Sequence, residues 1–507
     1  MLNLTQINER KKGNELRPAF FSDEFSFNWG DYSNLVANNL SEILNNEVIS
    51  SDIERIIVIS ENNWQTFILY SVISSLGIPF SGIDYSQSEE IKLANIKNSG
   101  SNLVLYSAAH APSKAFEELL QKNHIYFHDI NSLIQLNVKS GNEAVEELLK
   151  NFKKNRSHEI SSFSFTSGTS GIPKVIYRTS GFDGIRIPIL TKLYHFNRED
   201  IFLATLPFSH VSVTGWIRLS LMNGGAVVVA DIEDSKDVYA KLIDYKVTTS
   251  LFTPPVLRKI VDIAKKNRDK TDLRFIMVGG KTFPVSLKEE AITTFGPIIH
   301  EYYGSSETGI NALISSPEYL KKTESSGKAM EGSELLIVDN DYQKLKDGKI
   351  GRIAVSSFQN AAGYLHSELE RTMIDGKDFI ITSDFGKMED GYLSVTQREI
   401  LEDCNQTIDA FELENNIRLF RQIRDVAVLT KNKKVNIFVT FEKNASELSK
   451  KIVRHAVSEY ISGALDASIS FTLEERSQIN YSLSGKVKYF KLKKKQSSCV
   501  GAAQGRE

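Results

Sequence analysis

From about residue 55 the chain alternates short apolar runs with stretches whose apolar residues recur at helical spacing. Arg55 to Ser60 reads as a buried strand. Trp64, Phe67, Ile68, Val72, Ile73 and Leu76 then predict a helix, which Gly77 and Pro79 stop. A second helix is expected from Glu89 to Lys97 and a strand from Leu103 to Tyr106. The rhythm returns later. It predicts strands at Ala226 to Ala230, Thr248 to Phe252 and Arg274 to Val278, with a helix at Val238 to Tyr245. Alternation of this kind argues for doubly wound α/β layers.

After about Gly332 the pattern shortens. Glu334 to Val338 and Ile350 to Ser356 read as strands joined through a hairpin-like turn at Lys346-Asp347-Gly348-Lys349, which implies a smaller β-rich subdomain. Beyond Arg398 a helix (Glu412 to Phe420), strands (Val426 to Leu429, Val435 to Phe441), a helix (Glu447 to Tyr460) and a strand (Ser468 to Thr472) form a separate α+β pattern. The expected division is therefore a large region over 1–397, a small domain over 398–495 and a disordered tail over 496–507.

Composition narrows the function classes. The chain has 507 residues, more than one ordinary core accommodates, with 41% hydrophobic and 24% charged positions. Its 61 basic residues nearly balance 63 acidic ones, so no charge bias points to nucleic acid or to a membrane surface. Cys404 and Cys499 form no metal-like or redox pair, which suits a reducing compartment. No apolar run is long enough for a membrane span and no signal-peptide core is seen, so a cytoplasmic location is expected.

The most informative segment is Thr166-Ser167-Gly168-Thr169-Ser170-Gly171-Ile172-Pro173-Lys174. Small residues, several with hydroxyls, let backbone N–H groups and side chains surround a polyphosphate without clash, and Lys174 adds a positive charge. Taken alone, the stretch also reads as a Ser/Gly-rich linker. It resembles the signature loop of the adenylate-forming ligases, the AMP-binding enzymes that include acyl-CoA synthetases, adenylation domains and luciferase-like enzymes. Val175 stands where that family usually has glycine.

Other segments resemble family motifs in the expected order. They are Pro207-Phe208-Ser209-His210 with Gly215, Val278-Gly279-Gly280, Tyr303-Gly304-Ser305-Ser306-Glu307, Ser383-Asp384 with Gly391, Arg398, and Ser484-Gly485-Lys486. The resemblance implies ATP and Mg²⁺, with Glu307 as the metal ligand. It implies that Ser306 bonds a phosphate, Tyr303 stacks on adenine, Gly280 lies near adenine and the acyl group, and Asp384 accepts from the ribose hydroxyls. Arg398 would stabilise ribose or phosphate charge, and His210 would stand beside the acid. Lys486 would neutralise charge as the carboxylate meets the α-phosphate, on a small C-terminal domain that moves. Each residue alone has a plainer reading: Lys486 as a solvated charge, Glu307 as a helix-cap acid, Asp384 as a turn cap, His210 as a partly buried ring.

The implied function is ATP-dependent activation of a carboxylic acid as acyl-AMP with release of pyrophosphate. Transfer to the thiol of CoA, or to the phosphopantetheine of an acyl or aryl carrier protein, would follow. Amino-acid-activating relatives place an aspartate in the pocket segment. His210-Val211-Ser212-Val213-Thr214-Gly215 has none, so an aryl or fatty acid is favoured over an amino acid. No glycine occurs between Gly391 and Gly463, where relatives place a Gly-containing loop along the thiol tunnel. The open alternatives are an enzyme that stops at the adenylate, one that forms an amide or ester, and a binding protein without turnover.

Overall fold

The computed structural model describes residues 1–479 except 48, 137–144, 155–158, 167–173, 180, 281, 282, 284, 320, 323, 324, 397–409, 419, 421, 432, 433, 443, 444 and 466–468. The run Ile56–Ile59 is wholly buried and pairs in parallel with Phe80–Gly82 on one side and Leu103–Tyr106 on the other. Tyr126–Asp129 completes a four-stranded parallel sheet. A strand buried on both faces needs this continuous apolar character. The helix Trp64–Leu76 starts where Asn63 accepts from the Thr66 N–H and ends at Gly77, in the left-handed conformation with φ +75°.

A second, nine-stranded sheet runs in the order 328–329, 309–315, 299–305, 275–278, 249–252, 201–204, 226–229, 18–21, 27–28. From Ile299–Ser305 through to Pro18–Phe21 its pairings are parallel, and the outer pairings are antiparallel. Helices cover both sheets, and one large core joins Phe20, Trp29, Phe67, Phe208, Phe275 and Tyr302. The mixed α/β class with doubly wound layers is thus the observed fold.

The β-rich part is a five-stranded sheet in which Gly351–Ser357 lies between Ser333–Val338 and Lys377–Glu389. One expectation is corrected here. The link between the first two strands is not a single hairpin turn at 346–349. The chain first reverses at Asp339–Gln343, with Tyr342 at φ +59° and a bridge from Val338 to Lys344. Only then does it turn again at Gly348, φ +80°. Tyr342 in the left-handed region carries no glycine signal, which hid the first turn. Residues 410–479 carry Ile423–Lys431, Lys434–Phe441 and Ser470–Glu475 as a three-stranded sheet with the helix Glu447–Ala464. They have their own core around Ile417, Val439 and Val457. Among the described residues, no helix is long and apolar enough to cross a membrane.

Candidate active site

The strands Ser162–Phe165 and Val175–Arg178 form an antiparallel hairpin. The hydroxyl-rich segment links the two strands in sequence. Where they end, Thr166 N–H donates to the Lys174 carbonyl at 2.9 Å, and Lys174 N–H donates to Thr166 Oγ1 at 3.3 Å. Val175, in place of the usual glycine, packs its side chain into the core with Ile57, Ile83 and Phe163. Thr166 and Lys174 line a cleft of about 1250 Å³ that also receives Glu307, Asp384, His210 and Gly280. Ser167, Gly168, Thr169, Ser170 and Gly171 lie outside the described residues, as do Arg398 and Lys486.

Beside the hairpin runs Gly363–Tyr364, paired with Val175–Arg178. The Tyr364 ring lies 4.8 Å beneath the Lys174 ammonium, and its hydroxyl donates to Glu307 Oε1 at 3.0 Å. Burial and the Glu307 carboxylate push the Tyr364 phenol up, so it stays a donor. Glu307 sits in the turn between Ile299–Ser305 and Gly309–Ser315, not at a helix end. The turn is tied by Ser305 Oγ, which accepts from the Thr308 N–H at 3.2 Å. Gly309 there has φ +72°, and the buried Gln359 amide lies where a Cβ would stand. Ser306 lines the cleft, and its carbonyl accepts from Arg178 Nη2 at 2.7 Å.

Asp384 is buried on Lys377–Glu389, and Tyr303 Oη donates to its Oδ2 at 2.9 Å. Successive strand residues face opposite sides. Tyr302 therefore lines the cleft, whereas Tyr303 packs with Leu335, Ile353 and Leu393 and is not among the lining residues. The sequence expectation gave Tyr303's ring to adenine; here its hydroxyl holds the proposed ribose carboxylate. Gly279 packs against the Tyr302 ring so closely that a Cβ would overlap it, and Gly280, φ +79°, opens onto the cleft.

At the other end, His210 caps the helix Val211–Met222, its Nδ1 accepting from the Ser212 N–H at 3.3 Å. Gly82 approaches the segment so tightly that a Cβ would meet Ser209 Cβ at 2.7 Å and Tyr70 Oη at 2.8 Å. This wall also holds charges that the motif reading overlooked. Arg186 Nη2 bonds Asp183 Oδ1 at 2.6 Å, and Arg218 Nε pairs with Asp183 Oδ2 at 2.9 Å. Arg178, Arg186, Arg218, Asp183, Gln359 and Tyr364 lie outside the contiguous motifs. The one available signal was Arg178, a charge in a buried strand run.

The donor set suits Mg²⁺. That ion is held by one or two carboxylates, with phosphate and water completing its shell. Glu307 offers one carboxylate on the cleft, held by the Tyr364 hydroxyl. Among the described residues no group of three or more His, Cys, Asp or Glu could hold a metal unaided.

The family model described as AMP-binding enzyme matches residues 8–365. The vibriobactin-specific 2,3-dihydroxybenzoate-AMP ligase of Vibrio cholerae is 25% identical over 54% of this chain and 52% of its own length. A 2-succinylbenzoate–CoA ligase of Oceanobacillus iheyensis is 26% identical over 53% of this chain and 56% of its own. The chain thus spans about half the length of the curated relatives it matches. The amide bond synthetase McbA from Marinactinospora thermotolerans shares the fold at a TM-score of 0.79 and 16% identity, with 96% of this chain and 98% of that one covered. The o-succinylbenzoate CoA synthetase from Bacillus subtilis, solved with an acyl-adenylate, superposes at 0.76 and 19% identity over 99% of both chains.

Proposed function

This chain belongs to the AMP-binding enzyme family, and from that premise we propose that it activates a carboxylic acid with ATP. An oxygen of the acid's carboxylate attacks the α-phosphorus, the bond from the α-phosphorus to the bridging oxygen breaks, and pyrophosphate leaves with acyl-AMP as product. The observation that carries this reading is the cleft itself. It holds the base of the hydroxyl-rich loop, Lys174, Glu307 and Asp384 at one end and His210, Gly215 and Tyr302 at the other. Anions must be brought together, so positioning and charge neutralisation are the work required.

Lys174 and the loop residues Ser167 to Gly171 receive the phosphates, with Ser306 beside them. Mg²⁺, when bound, neutralises phosphate charge, and Glu307 holds it, oriented by Tyr364. Asp384, fixed by Tyr303, accepts the ribose hydroxyls. Gly280 leaves room for the adenine and the acyl group, and Arg398 adds charge near the ribose. Lys486, on a small domain beyond residue 397, supplies the cation between carboxylate and α-phosphate. His210 orients the acid. We keep the aryl or fatty acid as substrate. Asp183 does enter the acid wall, but two guanidiniums already share it, so an ammonium has no free carboxylate there.

The acyl group then passes to CoA or to a carrier-protein phosphopantetheine. The relative whose name specifies a CoA ligase supports the first of these acceptors, and the one named an aryl-AMP ligase supports the adenylate that precedes transfer. A second reading, with release of the adenylate or transfer to an amine or alcohol, is favoured by the glycine-free stretch between Gly391 and Gly463. ATP–pyrophosphate exchange with a panel of acids tests the first step. Acid-dependent exchange is expected, and ATP binding without exchange for any acid class would refute the adenylation reading. Adding CoA to the active acid then separates the two acceptor readings.

A further inference from the structure

The acid end of the cleft carries more positive charge than its own carboxylate offsets. Asp183 opens the helix Asp183–Tyr194, and Arg186 lies one turn on, so the two meet on one face. Arg218 reaches the other oxygen of the same carboxylate from the neighbouring helix Val211–Met222. Two guanidiniums thus share one anion.

Arg186 is mostly enclosed, its side chain 12% exposed, and its Nε is buried with no hydrogen-bond partner among the described residues. A Cβ at Gly215 would stand 3.0 Å from Arg186 Nη2, so that glycine leaves the guanidinium open along the pocket segment. A third cation adds to the field. Arg178 and Arg186 both stack on Phe182, with guanidinium carbons 5.0 and 4.9 Å from its ring centre. The polar contacts of Arg178 are the carbonyls of Ser306 and Gln359, which carry no charge. Burial first, and the Arg186 charge next, lower the Arg178 pKa to about 10, opposed by Glu307 and Asp183.

Cations held in a partly enclosed site cost free energy unless an anion meets them. A monocarboxylic acid brings only the carboxylate that reacts at the α-phosphate. We infer that the accepted acid carries a second carboxylate, remote from the reacting one, which Arg186 receives at the Gly215 wall with Arg218 behind it. The inference rests on the adenylation reading for the identity of the cleft. Guanidinium suits the task because its planar fork meets a carboxylate with two donors.

The test uses full-length protein and matched pairs: hexanoate with hexanedioate, octanoate with octanedioate, benzoate with benzene-1,3- and 1,4-dicarboxylate. Titration calorimetry gives each affinity in the presence of ATP and Mg²⁺, and exchange is measured in parallel. At least one diacid is expected to bind about tenfold more tightly than its monoacid, the effect of one charge-assisted hydrogen-bonded contact. Arg186→Gln should shrink that ratio. Asp183→Asn should widen it by freeing both guanidiniums, a sign that a merely structural salt bridge would not produce. The inference is overturned if no diacid binds, if monoacids bind as well in every pair, if neither variant moves the ratio, or if Arg186→Gln weakens ATP instead. Exchange with monoacids alone would overturn it and leave adenylation standing. Exchange with no acid would sink adenylation, while the binding ratio would still decide this point.

Discussion

At the proposed phosphate end of the cleft Glu307 and Asp384 are each met by a neutral phenol, Tyr364 on Glu307 and Tyr303 on Asp384. At the acid end two guanidiniums compete for Asp183. In the proposed reaction the first arrangement would fix carboxylates for a nucleotide whose shape never changes, and the second would leave a charge for the variable acid to meet. Chemistry shared by every turnover can be held rigidly by local pairs, whereas selectivity resides in charge that the protein itself leaves unmatched.

The largest expected effect belongs to a residue that the proposed reaction assigns to both ends, where carboxylate meets α-phosphate. Lys486→Ala should lower ATP–pyrophosphate exchange by about 10²–10³-fold, the usual loss when one preorganised transition-state donor is removed. The KM for ATP should change much less than kcat, because the charge it meets develops in the transition state. An undiminished rate would take Lys486 out of the chemistry and make the cleft residues alone responsible.

A smaller effect is a pH dependence of stability behind the acid wall. The helix bearing Asp183 and Arg186 ends at Tyr194, whose ring packs against His300 at 4.9 Å. His300 also stacks on Phe275 at 4.8 Å, and its Nδ1 is buried without a hydrogen-bond partner among the described residues. Burial, and then the charge of Arg274, lower its pKa to about 4. The folded state therefore binds fewer protons than the unfolded state between about pH 6.5 and 4. Its contribution is present above pH 6.5 and is lost as pH falls through that window, by at most about 3 kcal/mol. Urea midpoints at pH 7.5 and 5 should fall further for the wild type than for His300→Gln. Equal falls would show that His300 is not the group responsible.

The same contrast explains what the sequence made legible. The residues proposed for the phosphate end sit in short contiguous motifs because a turn presents several backbone and side-chain groups at once, as at Ser305–Thr308. Strand and helix periodicity likewise located Ile56–Ile59 and Trp64–Leu76 closely. The acid wall adds residues 82, 183, 186, 218 and 302 to the motif positions 209 and 215, and only tertiary packing collects those five. No spacing rule links Asp183 to Arg218. Tyr303 shows a subtler limit. The motif gave the residue, but strand alternation decided which face it served, and the neighbouring Tyr302 took the cleft side.

That alternation sets the last and smallest test. If Tyr303 acts through Asp384, Tyr303→Phe keeps the ring in its packing among Leu335, Ile353 and Leu393 and removes the 2.9 Å hydrogen bond. A buried carboxylate then loses one charge-assisted donor, worth roughly 1.5–3 kcal/mol. Part of this cost is recovered by water or ribose hydroxyls, so the KM for ATP should rise by about tenfold or less. The KM for the acid should hardly move, because the change lies on the face of the strand away from Tyr302. Tyr302→Phe should give the converse, a changed acid KM with ATP little affected. If both substitutions shift both constants together, the two ends of the cleft are coupled through the strand, and the division drawn between them fails.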